Sequence, residues 1–95
     1  MPTHNGERRQ PKLRHNLGVY WGQKVGARRR YLGFSQQQLA DLCGISQQAV
    51  SKIEAGEMIP LDRLKVTIAA KLGTTPADIF PWPPMAELVA EEGAA

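Results

Sequence analysis

Two serines and one glycine constrain this chain most. Ser35, Gly44 and Ser46 bracket two short helices with almost no chain between them. Gln38 follows Ser35 at the spacing of a capping box, in which the serine oxygen accepts from the backbone and the glutamine reaches back. The helix so opened ends near Cys43, where Gly44 offers the left-handed backbone that a tight turn requires. Ser46 is a second N-cap, and Gly56 closes a helix reaching about Ala55. Ala40, four residues before Gly44, is small enough for the two helices to approach closely. Two capped helices joined by a Gly-containing turn make a helix-turn-helix.

The rest of the chain also reads as helix. From Leu17 onward Trp21, Val25, Arg28/Arg29 and Leu32 recur at three- and four-residue steps, and Gly33 ends the pattern. Pro60 stands near the first position of a fourth helix with the apolar stripe Leu61, Leu64, Ile68, Ala69 and Leu72, stopped by Gly73. Thr75 caps a short fifth helix that carries Pro76 in its first turn and ends at Ile79-Phe80. Pro81, Pro83 and Pro84 break any continuation, and the acidic tail holds at most a short helix over Ala86–Glu92. There is no alternating strand pattern. The expectation is an all-α fold: a flexible basic arm over residues 1–16, a five-helix domain over 17–80 and a Pro-rich, acidic tail over 81–95.

A chain of 95 residues allows one domain. Cys43 is its single cysteine, so no intrachain disulfide forms, and it reads as a small buried apolar residue. His4 and His15 lie far from it in the polar arm, which leaves no metal site. No apolar run approaches the roughly 18 residues of a membrane span, and no apolar segment follows the basic N-terminus as in a signal peptide. The expected location is the cytoplasm. Paired carboxylates, a Cys–His site and a Gly-rich phosphate cradle are all missing, so the sequence points to neither an enzyme nor a cofactor. The net charge of +3 conceals a division. Residues 1–30 hold eight basic residues against Glu7, a net +7, and residues 31–95 hold four basic against eight acidic, a net −4. A basic front on a small chain points to a polyanionic partner.

The helix after Ser46 has a face left for such a partner. At about 100° per residue Gln47, Ser51, Gln48 and Lys52 share one arc, and Ala49, Val50 and Ile53 fill the opposite one. Glutamine suits a bidentate contact with the major-groove edge of adenine, lysine suits guanine acceptors or phosphate, and serine serves either kind of base. Any solvated helix face carries polar residues; the turn in register before this one favours base contact.

The stretch from Trp21 to Phe80, WGQKVGARRRYLGFSQQQLADLCGISQQAVSKIEAG followed by IPLDRLKVTIAAKLGTTPADIF, resembles the Cro/lambda-repressor type of helix-turn-helix domain, the XRE family. The matching pattern is a basic amphipathic helix, G-[LF]-[ST]-Q, x-x-L-A, G-[VI]-S, [VI]-S-x-[IW]-E-x-G, a helix ending I-A-x-x-L-G, and D-[LI]-F. The resemblance implies a five-helix lambda-repressor-like DNA-binding domain acting as a homodimer on double-stranded DNA with two-fold symmetry. It implies that Gln36 bonds a phosphate and braces the start of the recognition helix. Gln47 and Gln48 match the first exposed recognition positions, which touch base edges, and Lys52 matches a later base- or backbone-facing position, with Ser51 between them. Ser46 is mainly a cap, at a helix end that also attracts phosphate. Arg29 and Glu54 match a structural ion pair, leaving Arg28 and Arg30 as the phosphate candidates of helix one.

The loop after helix three departs from the basic loops of several relatives, with Glu57, Met58 and Ile59 in sequence. The two apolar residues either extend a dimer contact or cover the junction of helices three and four. Arg8, Arg9, Lys12 and Arg14 supply further phosphate contact from the arm, diffuse or in a minor groove. Trp82 between prolines packs on its own domain or meets a partner. The function expected is a transcriptional regulator, a repressor or Cro-like protein that occludes a promoter. The alternative is an antitoxin-type interaction module that holds a protein partner through its tail and binds its own promoter.

Overall fold

The computed structural model describes residues 3–88, with side chains for 13–86 and 88. These residues are helical with no strand among them. α1 spans Thr3–Tyr31, α2 Gln36–Cys43, α3 Gln47–Glu54, α4 Asp62–Lys71 and α5 Pro76–Ile79; one further turn, α6, spans Met85–Leu88. The five-helix domain is therefore present, with a short helical turn in the tail.

The local signals act as their chemistry requires. Ser35 accepts from the backbone N–H of Gln38, and the Gln38 side chain accepts from the Ser35 N–H, closing the capping box. Gly44 has φ 71°, and its N–H and that of Ile45 bond back to the end of α2. Ser46 accepts from the Ala49 N–H and opens α3. Thr75 accepts from the Asp78 N–H and opens α5.

One core joins the five helices. Trp21 and Val25 of α1, Leu39 and Ala40 of α2, Val50 and Ile53 of α3, Ile68 and Leu72 of α4, and Ile79 and Phe80 from the α5 end are all buried together. Phe34, Met58, Ile59 and Leu64 pack around them. Met58 and Ile59 thus cover the junction between α3 and α4.

Three expectations change. α1 begins at Thr3, not at Leu17, so residues 3–16 continue a helix where an arm was expected. The tail gives that continuation a partner: Leu13 and Leu17 share a groove with Met85 and Leu88, and Asn16 Nδ2 donates to Leu88 O. α4 begins at Asp62 with Leu61 as its N-cap, one residue past Pro60, and Leu61 is 82% exposed instead of heading the apolar stripe. A cap residue stands outside the helical spiral and its side chain escapes the buried face. Leu32 is likewise exposed, because α1 ends at Tyr31 and the chain turns there. In the tail, α6 begins at Met85, and the region from 89 onward lies outside the described residues.

Candidate nucleic-acid interface

α3 presents the face that its pattern implies. Val50 and Ile53 are buried, Gln47, Gln48 and Lys52 are exposed, and Ser51 is half-exposed beside them. This leaves two amides, one hydroxyl and one ammonium on a helix narrow enough to enter a major groove. Ser46 is exposed at the N-terminus of α3, with its oxygen engaged by the Ala49 N–H.

A chain of side-chain hydrogen bonds stands behind that face. Gln47 Nε2 donates to Gln36 Oε1 at 2.7 Å. Gln36 Nε2 in turn donates to Glu54 Oε1 at 3.0 Å. Glu54 receives Arg29 in bidentate fashion, Nε to Oε2 at 2.6 Å and Nη2 to Oε1 at 3.0 Å. Arg29 Nη1 donates to Phe34 O at 2.8 Å and so ties the pair to the α1–α2 turn. The side chains of Arg29 and Glu54 keep 11% and 9% of their exposure, which weakens solvent screening of the pair. The hydrogen bond to Glu54 raises the Arg29 pKa from its ordinary value, against the opposing effect of burial.

The remaining arginines divide. A Cβ placed on Gly26 would meet Arg30 Nη1 at 3.0 Å and Glu54 Oε1 at 3.2 Å, so the Arg30 guanidinium lies back along α1 on the side of this network. Arg28 has a different role from the phosphate contact expected of it. Its Nε donates to Leu72 O at 2.9 Å and its Nη2 to Gly73 O at 3.3 Å, so it caps the C-terminal carbonyls of α4. Its guanidinium also stands 5.4 Å from the centre of the Tyr31 ring. Arg14 is exposed and lines a groove with His15 and the loop Gly56–Ile59, which includes Glu57. Arg8, Arg9 and Lys12 lie outside the residues whose side chains are described.

Sequence reasoning missed the glycines that bring α3 close to α1. A Cβ on Gly22 would lie 2.3 Å from Ile53 O and 2.7 Å from Glu54 O, and one on Gly18 would lie 2.6 Å from Gly56 O. The recurrence of Gly18, Gly22 and Gly26 at four-residue steps is the signal that could have revealed this. Cys43 is half-buried at the end of α2; burial raises its thiol pKa, partly offset by Lys71, which suits a packing residue rather than a nucleophile. No helix among the described residues is long and apolar enough to cross a membrane.

Two short helices in a tight turn, the second carrying exposed amides over a half-buried brace, define a helix-turn-helix DNA-binding regulator rather than an enzyme. A family model described as Helix-turn-helix matches residues 26–79, more than half of the chain, and the chain belongs to this family, of the Cro/lambda-repressor type. Its fold is similar to that of the clp gene regulator ClgR from Corynebacterium glutamicum, at a TM-score of 0.65 and 20% identity, over 82% of this chain and 78% of that one. No curated protein matches the chain.

Proposed function

We propose that the chain is a sequence-specific transcriptional regulator, a repressor or Cro-like protein, that binds a two-fold-symmetric operator as a homodimer and occludes a promoter. α3 lies in the major groove, with Gln47, Gln48, Ser51 and Lys52 on base edges. Gln36, Ser46, Arg30 and Arg14, with Arg8, Arg9 and Lys12, contact phosphate and supply most of the affinity. The similarity in fold to a gene regulator fits this role.

One observation carries the reading: the Gln47–Gln36–Glu54 chain of hydrogen bonds. Gln47 uses one N–H on Gln36, which holds its amide plane and leaves Oε1 and the second N–H for a ligand. An acceptor beside a donor is the complement of adenine N6–H and N7 in the major groove. Fixing that amide before binding reduces the ordering cost of a contact made by a long side chain.

Selection of bound sequences from random duplex DNA tests the reading. The expected result is an inverted repeat with half-sites about one helical turn, or a multiple of it, apart and an adenine preference within each. Recovery of no sequence preference would overturn it. A second reading, the antitoxin-type module, rests on the exposure of Trp82 in the tail; it keeps the same DNA contacts and adds a protein partner.

A further inference from the structure

The Arg29–Glu54 pair ties α1 to α3, and it also has an acceptor turned toward the reading helix. Glu54 Oε1 takes Arg29 Nη2 at 3.0 Å and Gln36 Nε2 at 3.0 Å. An ionised carboxylate holds acceptors only, whereas a glutamine amide has one donor end and one acceptor end. Gln36 therefore turns Nε2 toward Glu54, and its Oε1 faces Gln47, whose Nε2 donates to it at 2.7 Å. Turning one of these amides by 180°, or both, leaves at least one pair of oxygens face to face. Arg29 is fixed in its turn, because Nη1 donates to Phe34 O and Nε to Glu54 Oε2. The orientation of the exposed Gln47 amide is thus set two side chains away, by a charge on the last residue of the same helix.

We infer that Glu54 is a positioning residue for base choice: acting through Gln36, its carboxylate sets which end of the Gln47 amide faces DNA, so that this position reads adenine and rejects guanine. The inference rests on the proposed reading of DNA by α3 and adds the residue that gives Gln47 its preference. In the observed orientation Gln47 presents Oε1 beside its second N–H, the complement of adenine N6–H and N7. Guanine has O6 where adenine has its amino group, so Gln47 Oε1 would meet an acceptor there. The reverse orientation turns Oε1 to Gln36 and leaves both N–H groups outward, the complement of guanine O6 and N7. Gln48, the next residue, is exposed and has no such bond among the described residues, so its amide turns to suit either base.

Glu54→Gln reverses this polarity with the least change in shape. Arg29 Nε stands 2.6 Å from Oε2, too close to admit a second donor, so the new amide keeps its oxygen at that place. Its NH2 takes the place of Oε1 and faces Gln36 Nε2 across 3.0 Å. Gln36 relieves that contact by turning its oxygen to residue 54 and its NH2 to Gln47, and Gln47 turns after it. A brace that is only structural weakens binding to every base alike. A relay of polarity changes the order in which the bases are preferred.

Fluorescence anisotropy titration of the 95-residue chain reads that order, with duplexes that differ only at the base pair whose choice Gln47→Ala relaxes. The wild type is expected to bind roughly tenfold or more tighter with adenine there than with guanine. In Glu54→Gln the ratio is expected to fall to parity or to invert in favour of guanine. Gln36→Leu cuts the relay, leaves the Arg29–Glu54 pair intact and is expected to bring the ratio toward one. It decides the matter if circular dichroism shows that Glu54→Gln has lost its fold. Asp41→Asn is the control. Its carboxylate also accepts a glutamine amide, Gln37 Nε2 at 2.8 Å, but outside the chain of bonds that ends at Gln47. It removes the same charge and is expected to keep the wild-type ratio. A folded Glu54→Gln or Gln36→Leu with the wild-type ratio would overturn the inference. So would an equal loss in Asp41→Asn, which assigns the effect to net charge. The two readings fail separately. If Gln47→Ala relaxes no base pair, base reading by Gln47 falls and the relay with it. If it relaxes one while the ratio survives in Glu54→Gln and Gln36→Leu, the relay alone falls.

Discussion

Glu54 accepts from Arg29 Nε, Arg29 Nη2 and Gln36 Nε2, so donors from α1 and α2 meet on the last residue of α3. Removing the carboxylate leaves a half-buried guanidinium and an amide without their acceptor. Breaking such a pair from one side costs more than the pair itself contributes. Glu54→Ala is therefore expected to lower unfolding stability by about 3–5 kcal/mol, read by urea denaturation. A loss under 1 kcal/mol would show that water replaces the carboxylate and that the pair is peripheral. Gln47 stands at the other end of the same chain, where truncation spares the core. Gln47→Ala is expected to weaken operator binding by about 1–3 kcal/mol and to relax choice at one base pair. Equal losses on operator and random duplex would show that Gln47 contacts backbone only. Arg28 was not legible as a structural residue. Arg28, Arg29 and Arg30 are identical in chemistry and adjacent in sequence, and only the approach of the α4 carboxyl end engages the first of them.

α2 and α3 were readable because their signals are local. A serine three residues before a glutamine, a glycine at a left-handed turn and a second serine act within a few residues, whatever the rest of the chain does. α4 was read about two residues too early for a tertiary reason: Pro60 is buried ahead of the helix, and the chain bends before the spiral starts. The seat of α3 on α1 was missed because a glycine within a helix reads locally as a weak helix former. At Gly22 it marks close approach. The Ile53 and Glu54 carbonyls lie where a Cβ would be, and both belong to helix backbone that cannot rotate aside. Gly22→Ala has the better helix propensity yet is expected to destabilise the protein by about 1–3 kcal/mol, since α3 must move off α1 to admit the methyl. Thermal unfolding reads the sign, and a stabilised variant would mean that the two helices separate at little cost. A shifted α3 also moves Glu54 relative to Gln36, so operator affinity is expected to fall with stability in this variant.

In the proposed complex the charge is divided between holding DNA and choosing its sequence. The face of α3 has one charged side chain, Lys52, among neutral amides and a hydroxyl, so it adds little to the attraction for phosphate. In the proposed complex that task falls to the basic residues of the first 30 positions, less Arg28 and Arg29, which bond within the domain. Arg8, Arg9 and Lys12 are then the largest concentration of unassigned positive charge in the sequence, with Arg14 following them on α1. Each phosphate neutralised by a cation contributes about 0.9 to the slope of log affinity against log salt. Replacing Arg8, Arg9 and Lys12 together by glutamine keeps helix propensity close to its original value and removes three charges. The expected result is weaker binding to operator and random duplex alike, with the salt slope shallower by as much as about 2.7. Sequence preference should remain, because the base-edge contacts of α3 are untouched. Titration of the variant and the wild type over a series of salt concentrations reads both quantities at once. An unchanged slope would assign the phosphate contacts to Gln36, Arg30 and the helix ends alone, and a lost sequence preference would place the N-terminal part of α1 among the elements that read the operator.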